Sequence, residues 1–270
     1  MPEGHTVHRT ANQFAKHFRG QPLTVDSPQG RFAPGAELLS GHTVTKALAV
    51  GKQMFIYFDQ GLILRIHLGI YGKYRWFERP ETIAEHLKKP VVGEVRARFY
   101  NAYALAELRG PTVCEVLSKE EADEVFKRLG PDPLNADPTG AEAERFIAKV
   151  LKSQTAIGLL LMNQAVISGI GNVYRAEILF RAGIDPYKPG KSLTRAQLVE
   201  IWRDSVELLK VGVKTGFMIT RDELTKKRHS KEERNFVYKR EGQPCRVCGT
   251  KVSIAIAASR KLYWCASCQK

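Results

Sequence analysis

The sequence predicts an α+β multidomain protein: one opening helix, an antiparallel β sandwich or barrel, a helical half and a small cysteine module. Three observations predict it. Short apolar runs broken by turn signals fill residues 22 to 117, helical spacing dominates after residue 139, and four of the five cysteines fall at the C-terminus. The length of 270 residues suffices for two cores, and a composition of 43% hydrophobic and 26% charged residues is that of a folded chain rather than a disordered one.

Residues 4 to 19 read as a helix because Val7, Ala11, Phe14 and Phe18 recur at steps of three and four, with Gly20 as a stop signal. Thr43 to Val50, Gln53 to Phe58, Leu62 to His67 and Val91 to Tyr100 read as strands, with turns such as Asp59-Gln60-Gly61 between them. Ser118 and Glu121 form a capping-box pattern for a helix ending near Gly130. Three prolines between Gly130 and Pro138 can continue neither a helix nor a central strand, which marks 131–138 as a linker. Beyond it, helices are expected from Thr139 with Glu142 towards Leu151, over Ala156 to Ile167, over Asn172 to Ala182, and after the Thr194/Gln197 capping box. Residues 214 to 240 are charged and aperiodic.

The chain carries 42 Lys and Arg against 28 Asp and Glu, a net charge of +14. Nine of those surplus charges lie between Lys214 and Lys270, where 14 Lys and Arg face 5 Asp and Glu. Such an excess points to a polyanionic partner, nucleic acid first. No apolar run is long enough for a membrane span, and the N-terminus has no secretory pattern. An odd cysteine count argues against a disulfide framework and for a reducing compartment. Cys114, in the apolar stretch Pro111 to Leu117, reads as a small buried hydrophobe.

Cys245-x2-Cys248 and Cys265-x2-Cys268, sixteen residues apart, have the spacing of a four-thiolate zinc site. Four protein ligands leave no open position, so the zinc is expected to be structural, one per chain, holding a hairpin that carries Arg260, Lys261, Tyr263 and Trp264. Ser168-Gly-Ile-Gly-Asn172 opens a helix. It suits either a phosphate held on free backbone amides or a plain glycine-rich turn. At the N-terminus, removal of Met1 before proline exposes Pro2 as a secondary amine. Such an amine at a helix N-terminus is partly unprotonated at neutral pH, and it forms a cationic iminium with a sugar carbon. Glu3 stands next to it as a proton carrier. Taken alone, a Met-Pro start is also compatible with no chemical role.

Met1-Pro-Glu-Gly4, Gly51-Lys52, His67-Leu-Gly-Ile-Tyr-Gly72, Gly169-Ile-Gly-Asn-Val-Tyr174, Glu177-Ile-Leu-Phe180, Gly242 to Gly249 and Tyr263 to Gln269 occur in this order. Together they resemble the formamidopyrimidine-DNA glycosylase and endonuclease VIII family, and within it the bacterial endonuclease VIII branch most. The resemblance runs from the second residue to the last few. It implies an N-terminal β-sandwich domain over 1–130 that begins with the catalytic helix, and a linker over 131–138. A helix-two-turn-helix DNA-binding domain over 139–240 and a four-cysteine zinc ribbon over 241–270 follow. Damaged double-stranded DNA would lie in a basic cleft between the halves, bound by a monomer without membrane association. The setting implied is the bacterial cytoplasm, at the nucleoid when DNA is bound.

The resemblance makes Pro2 the nucleophile on the anomeric carbon of a flipped nucleotide, Glu3 the general acid and base, and Lys52 a phosphate-contacting, catalytically important lysine. Asn172 and Arg260 become clamps on the phosphates flanking the lesion. Ile70, with Tyr71, becomes the wedge that fills the space left by the flipped base. The reaction implied is excision of an oxidised base by an AP lyase, then β- and δ-elimination through the iminium. Two departures bear on this. Thr6 stands where the family usually has a second glutamate. Asn101-Ala-Tyr-Ala-Leu105 follows the strand ending near Tyr100, where the purine-specific branch usually has a Pro-Arg-Arg-Phe loop. The Pro-Glu-Gly start and the missing loop favour oxidised pyrimidines, whereas His67-Leu-Gly-Ile looks more like the oxidised-purine (formamidopyrimidine/8-oxoguanine) branch. The competing readings are a catalytically weak relative that binds damaged or abasic DNA and a non-enzymatic nucleic-acid-binding module.

Overall fold

The apolar stripe of the first helix organises the N-terminal half. In a computed structural model, which describes residues 2–270, α1 (Gly4–Phe18) buries Val7, Ala11, Phe14 and Phe18. The Phe14 ring meets Tyr74, Trp76 and Phe99 edge-on at centroid distances of 5.3 to 5.6 Å. These aromatics come from one of two four-stranded antiparallel sheets. That sheet has the order β1-β6-β7-β5, from Thr24–Asp26, Val95–Tyr100, Leu105–Arg109 and Lys73–Phe77. The other has the order β2-β3-β4-β8, from Val44–Val50, Gln53–Phe58, Ile63–His67 and Val113–Leu117.

Strand β3 shows why this half is a sandwich. Met54, Ile56 and Phe58 join the main core, while Phe55, pointing the other way, packs under α4 (Lys119–Arg128), with its ring 4.5 Å from that of Phe126. Covered on both faces, the strand reads Gln-Met-Phe-Ile-Tyr-Phe with little polar alternation. The expected capping box of α4 forms: Ser118 N–H donates to Glu121 (2.8 Å) and Glu121 N–H to Ser118 Oγ (3.2 Å). Two further helices, α2 (Ala33–Leu39) and α3 (Pro80–Lys88), lie between strands; each has proline in its first turn.

The described chain divides into two units, up to Arg128 and from Leu129 onward. In the second, α5 (Ala141–Leu151), α6 (Ile157–Leu160), α7 (Asn172–Arg181) and α8 (Arg195–Thr215) enclose a core that includes Phe146, Leu161, Tyr174, Ile178 and Leu209. The Thr194/Gln197 capping box opens α8. Two details differ from the sequence reading. Helix α5 is opened mainly by Asp137, whose carboxylate accepts from Glu142 N–H (3.1 Å) and Ala143 N–H (3.0 Å); Thr139 Oγ accepts from Ala141 N–H (3.4 Å) rather than forming a box with Glu142. The helix expected over Ala156 to Ile167 is regular only over α6. Beyond it, Asn163 and Gln164 spend their carboxamides on the backbone of Ala165, Met162, Gly169 and Ile170, which competes with helix continuation.

Residues 130 to 133 are largely buried and tied into the second unit, with Gly130 N–H donating to Gln164 O and Ser168 N–H to Pro131 O, both at 2.8 Å. The prolines here stiffen a packed segment. The chain ends in the hairpin β9 (Ser253–Ala257) and β10 (Arg260–Trp264), turned through Ala258 and Ser259, both with positive φ. Among the described residues, no helix is long and apolar enough to cross a membrane.

Candidate functional site

The geometry around Pro2 follows from lengths. Gly20 N–H donates to Val44 O (2.8 Å), which ties the C-terminal end of α1 to the start of β2. The helix then lies along β2 in the opposite direction. Fifteen helical residues span about 22 Å, and seven strand residues about 23 Å. The N-terminus of α1 therefore comes level with the Gly51-Lys52 turn at the far end of β2. Register adds the next strand: Gln53 pairs with His67, the last residue of β4. His67 is half-buried, and its imidazole is held below its ordinary pKa by burial first and then by the charges of Lys52 and Arg65. Lys52 and the chain leaving β4 thus share one end of the sheet.

That chain is the turn Leu68 to Gly72, closed by Gly72 N–H on Leu68 O (2.9 Å). Gly69 has φ +66°, and a Cβ at Gly72 would lie 2.2 Å from the Leu68 carbonyl oxygen, so both positions demand glycine. The fixed turn presents Ile70, 41% exposed, and Tyr71, 85% exposed, to solvent. A groove of about 480 Å³ runs beside it, and Pro2, Thr6, Ile70 and Tyr71 all line it, together with Arg9 and Trp76. Glu3 is fully buried, and its carbonyl accepts the first helical N–H, from Thr6 (2.9 Å).

The Asn101–Leu105 segment lies elsewhere. Phe77 pairs with Leu105 and Lys73 with Arg109, so residues 101 to 105 stand at the opposite end of the sheet from Ile70 and Tyr71. The turn that adjoins the exposed pair's base is Gly110-Pro-Thr112, with Thr112 N–H on His67 O (2.9 Å). An arginine-bearing loop that reaches the exposed pair would have to stand at Gly110-Pro-Thr112 rather than at Asn101–Leu105. Gly110-Pro-Thr112 also lacks such a run.

In the second unit, Asn172 begins α7 and is nearly buried. One of its two N–H donors reaches Lys261 O on β10 (2.8 Å), and its carbonyl oxygen accepts from the Arg175 guanidinium. The resemblance makes Asn172 a phosphate clamp; the structure uses this carboxamide to fasten the helix terminus to the hairpin that bears Arg260. Asn172 and Arg260, 88 residues apart in sequence, are thereby neighbours. The Arg260 guanidinium is thus carried beside the α7 terminus, a charge able to hold an anion.

Cys245, Cys248, Cys265 and Cys268 hold their sulfurs within 4.8 Å of one another. The pairs Cys245–Cys268 and Cys248–Cys265 are 3.9 and 3.4 Å apart. Four thiolates at about 2.3 Å from one ion would be about 3.8 Å apart on a tetrahedron. The donor set therefore fits a four-coordinate soft metal and leaves it no open position. Cys114 is apart from this cluster, half-buried, with burial pushing its thiol up to about 12.

The sequence reading gave Glu177 no role. Its fully buried carboxylate accepts from Thr220 Oγ (2.6 Å) and from the N–H groups of Phe236 (2.7 Å), Val237 (2.9 Å) and Tyr238 (2.8 Å). It anchors both ends of the charged, aperiodic segment between them. The available signal was an acidic residue inside the otherwise apolar Ala176-Glu-Ile-Leu-Phe180.

Three family models cover most of the chain: the formamidopyrimidine-DNA glycosylase N-terminal domain over residues 1–109, the H2TH domain of the same glycosylase over 129–223, and a zinc finger found in FPG and IleRS over 242–270. Endonuclease 8 1 of Mycobacterium tuberculosis (strain ATCC 25618 / H37Rv) is 42% identical over the full length of both chains. The chain belongs to the formamidopyrimidine-DNA glycosylase and endonuclease VIII family. Endonuclease 8 of Salmonella typhi, a second member, is 29% identical over the full length of both chains. The family fold is matched by Lactococcus lactis formamidopyrimidine DNA glycosylase non-covalently bound to AP-site DNA, at TM-score 0.81 and 22% identity over 99% of each chain. A complex of the Lactococcus lactis protein with DNA containing an oxidised pyrimidine matches at TM-score 0.81 and 23% identity over all of both chains.

Proposed function

We propose that this family member excises oxidised bases from duplex DNA, pyrimidines in preference to purines, and then cleaves the abasic strand. The observation that carries this reading is the groove shared by Pro2 and the exposed Ile70–Tyr71 turn. A nucleophile and a wedge must act on the same nucleotide, one at its anomeric carbon and the other in the gap it leaves. With Met1 removed, the Pro2 nitrogen attacks C1′, Glu3 supplies a proton to the departing base, and ring opening gives an iminium on Pro2. That cation draws electrons from C2′, so β-elimination and then δ-elimination release the sugar. Lys52, at the same end of the sheet, supplies positive charge to a backbone phosphate; Arg260 and the α7 terminus fastened by Asn172 grip the flanking ones.

Zinc is the metal we assign to Cys245, Cys248, Cys265 and Cys268. Bound there it would cross-link the two knuckles and stiffen the hairpin that bears Arg260, with no part in the chemistry. The preference for pyrimidines rests on the 42% identity to a protein named endonuclease 8 and on the absence of an arginine pair at Gly110-Pro-Thr112.

The test is incubation with borohydride and three duplexes, containing thymine glycol, 8-oxoguanine or an abasic site. Covalent trapping is expected on the abasic and thymine glycol duplexes, faster than on 8-oxoguanine, and lost when Met1 is retained. Strand cleavage without trapping would overturn the iminium route. Binding without either would leave the catalytically weak relative as the better reading.

A further inference from the structure

The N-terminal unit has a second cavity, of about 810 Å³ against about 480 Å³ for the Pro2 groove. Its size is that of a ligand pocket. Alternation along the strands puts it on the far face of the β1-β6-β7-β5 sheet from α1. Tyr74, Trp76 and Phe99 meet Phe14 of α1, whereas Arg75, Phe77, Arg98 and Glu107 point the other way and line the cavity beside α3. The chemistry proposed above uses none of these outward-facing side chains.

Glu107, fully buried, is the centre of the floor. Its carboxylate accepts from Arg98 Nε (3.0 Å) and Arg109 Nε (2.8 Å), and His86 Nε2 of α3 lies 2.8 Å from it. Arg109 also donates to Val92 O (2.7 Å), which holds the chain after α3 at the rim. One carboxylate thus serves two guanidiniums. Arg98 is only 5% exposed, and its terminal nitrogens have no acceptor among the described residues. Asp26, opposite Arg98 on β1, does not line the cavity. An enclosed guanidinium with donors to spare calls for an anion. At the mouth, Arg75 and Arg79 are exposed and have no ion-pair partner among the described residues. The acids there are engaged: Glu85 with Lys89 (2.6 Å), and Glu78 3.4 Å from His17. In all, five Lys and Arg line the cavity against three Glu, which leaves it positive.

We propose that this cavity docks an acidic segment of a partner protein, its carboxylates on Arg75, Arg79 and Arg98 and an aliphatic side chain on Pro90 and Val92. Guanidiniums suit carboxylates because their planar forks match the two oxygens. Val92, 73% exposed, supplies the apolar contact. Single-stranded nucleic acid, the other polyanion, would need aromatic faces on which to stack its bases. The Phe77 ring is instead taken up by His86, stacked at 4.1 Å, and by the Arg75 guanidinium at 4.8 Å. The Trp76 ring packs on Phe14 (5.3 Å). Because the sheet separates the cavity from the Pro2 groove, a partner seated in it leaves that groove open. The inference is independent of the iminium reading.

The test uses the full chain and a fluorescein-labelled Asp-Glu-Leu-Asp-Glu-Leu peptide, followed by anisotropy at low salt with a saturating tetrahydrofuran-site duplex present or absent. Saturable binding is expected, equal with and without the duplex, and absent for the Asn-Gln-Leu-Asn-Gln-Leu counterpart. Arg75→Glu combined with Arg79→Glu should weaken it about tenfold or more and leave borohydride trapping on an abasic-site duplex unchanged. Arg203→Glu with Lys210→Glu, the same charge change placed on α8, should leave peptide binding intact. No saturable binding would overturn the site, as would equal binding of the amide peptide, displacement by the duplex, or binding that survives the Arg75/Arg79 reversal. A six-nucleotide thymidine strand that binds the duplex-saturated protein more tightly than the peptide, and is lost in the same variant, would assign the cavity to nucleic acid and overturn the proposal.

Discussion

His5 and Glu177 show what burial asks of polar side chains in this chain. His5 is neutral because enclosure, and then nearby positive charges including Arg9 and His8, lower its imidazole to about 4 from the ordinary 6.5. Below pH 6.5 the unfolded chain takes up a proton that the folded chain refuses. Stability contributed by this residue is thus present above pH 6.5 and lost progressively as pH falls to about 4. The full loss is about 3 kcal/mol, at about 1.4 kcal/mol per pH unit. In urea unfolding, the difference between neutral pH and pH 4 should shrink by about that amount in His5→Gln; an unchanged difference would refute the assignment. Glu177 makes the opposite demand, since three backbone N–H groups and one hydroxyl depend on its carboxylate. Glu177→Ala leaves buried donors without an acceptor. It should cost at least about 3 kcal/mol and increase proteolysis between residues 220 and 238. Equal stability and protection would show that the anchor is dispensable.

Elements with a strong period or a cap were legible in the sequence. Helix α1, strands β2 to β4 and the Thr194 capping box follow from apolar spacing and from side chains that satisfy helix ends. The short helices α2 and α3 escaped because their one clear signal, a proline in the first turn, also reads as a loop. The helix expected through Ile167 stopped early because Asn163 and Gln164 found backbone partners that no periodicity reveals. The site divides in the same way. Pro2, the cysteines and the Gly69/Gly72 turn carry their chemistry in residue type. The Asn172–Lys261 bond is tertiary and leaves no spacing signature. The cysteine hairpin gives a prediction at this scale. Its own core is small, so metal should be indispensable to it. One equivalent of zinc should be released on denaturation in chelator. Cys248→Ser should abolish that release and weaken binding to a tetrahydrofuran-site duplex, while far-UV helicity from α1 to α8 persists. Metal-free protein of full affinity would contradict the structural role.

For the molecule as a whole, charge and chemistry are separate. Nine of the 14 surplus positive charges lie from Lys214 onward, around the hairpin and the segment that Glu177 anchors, whereas Pro2 and Glu3 contribute almost nothing to the total. Binding to undamaged duplex should therefore weaken steeply with salt, with a log–log slope of about −0.9 for each phosphate neutralised. Arg260→Ala should reduce that slope by about 1 without changing lesion preference; an unchanged slope would remove Arg260 from the phosphate contacts. The chemistry we propose rests on one nitrogen, that of Pro2. The most direct measurement is to trap the protein on an abasic-site duplex with borohydride, digest it, and map the DNA-bearing peptide by mass spectrometry. The adduct is expected on the nitrogen of an N-terminal peptide that starts at Pro2. An adduct on a lysine such as Lys52, or a mature chain that still begins with Met1, would contradict the account.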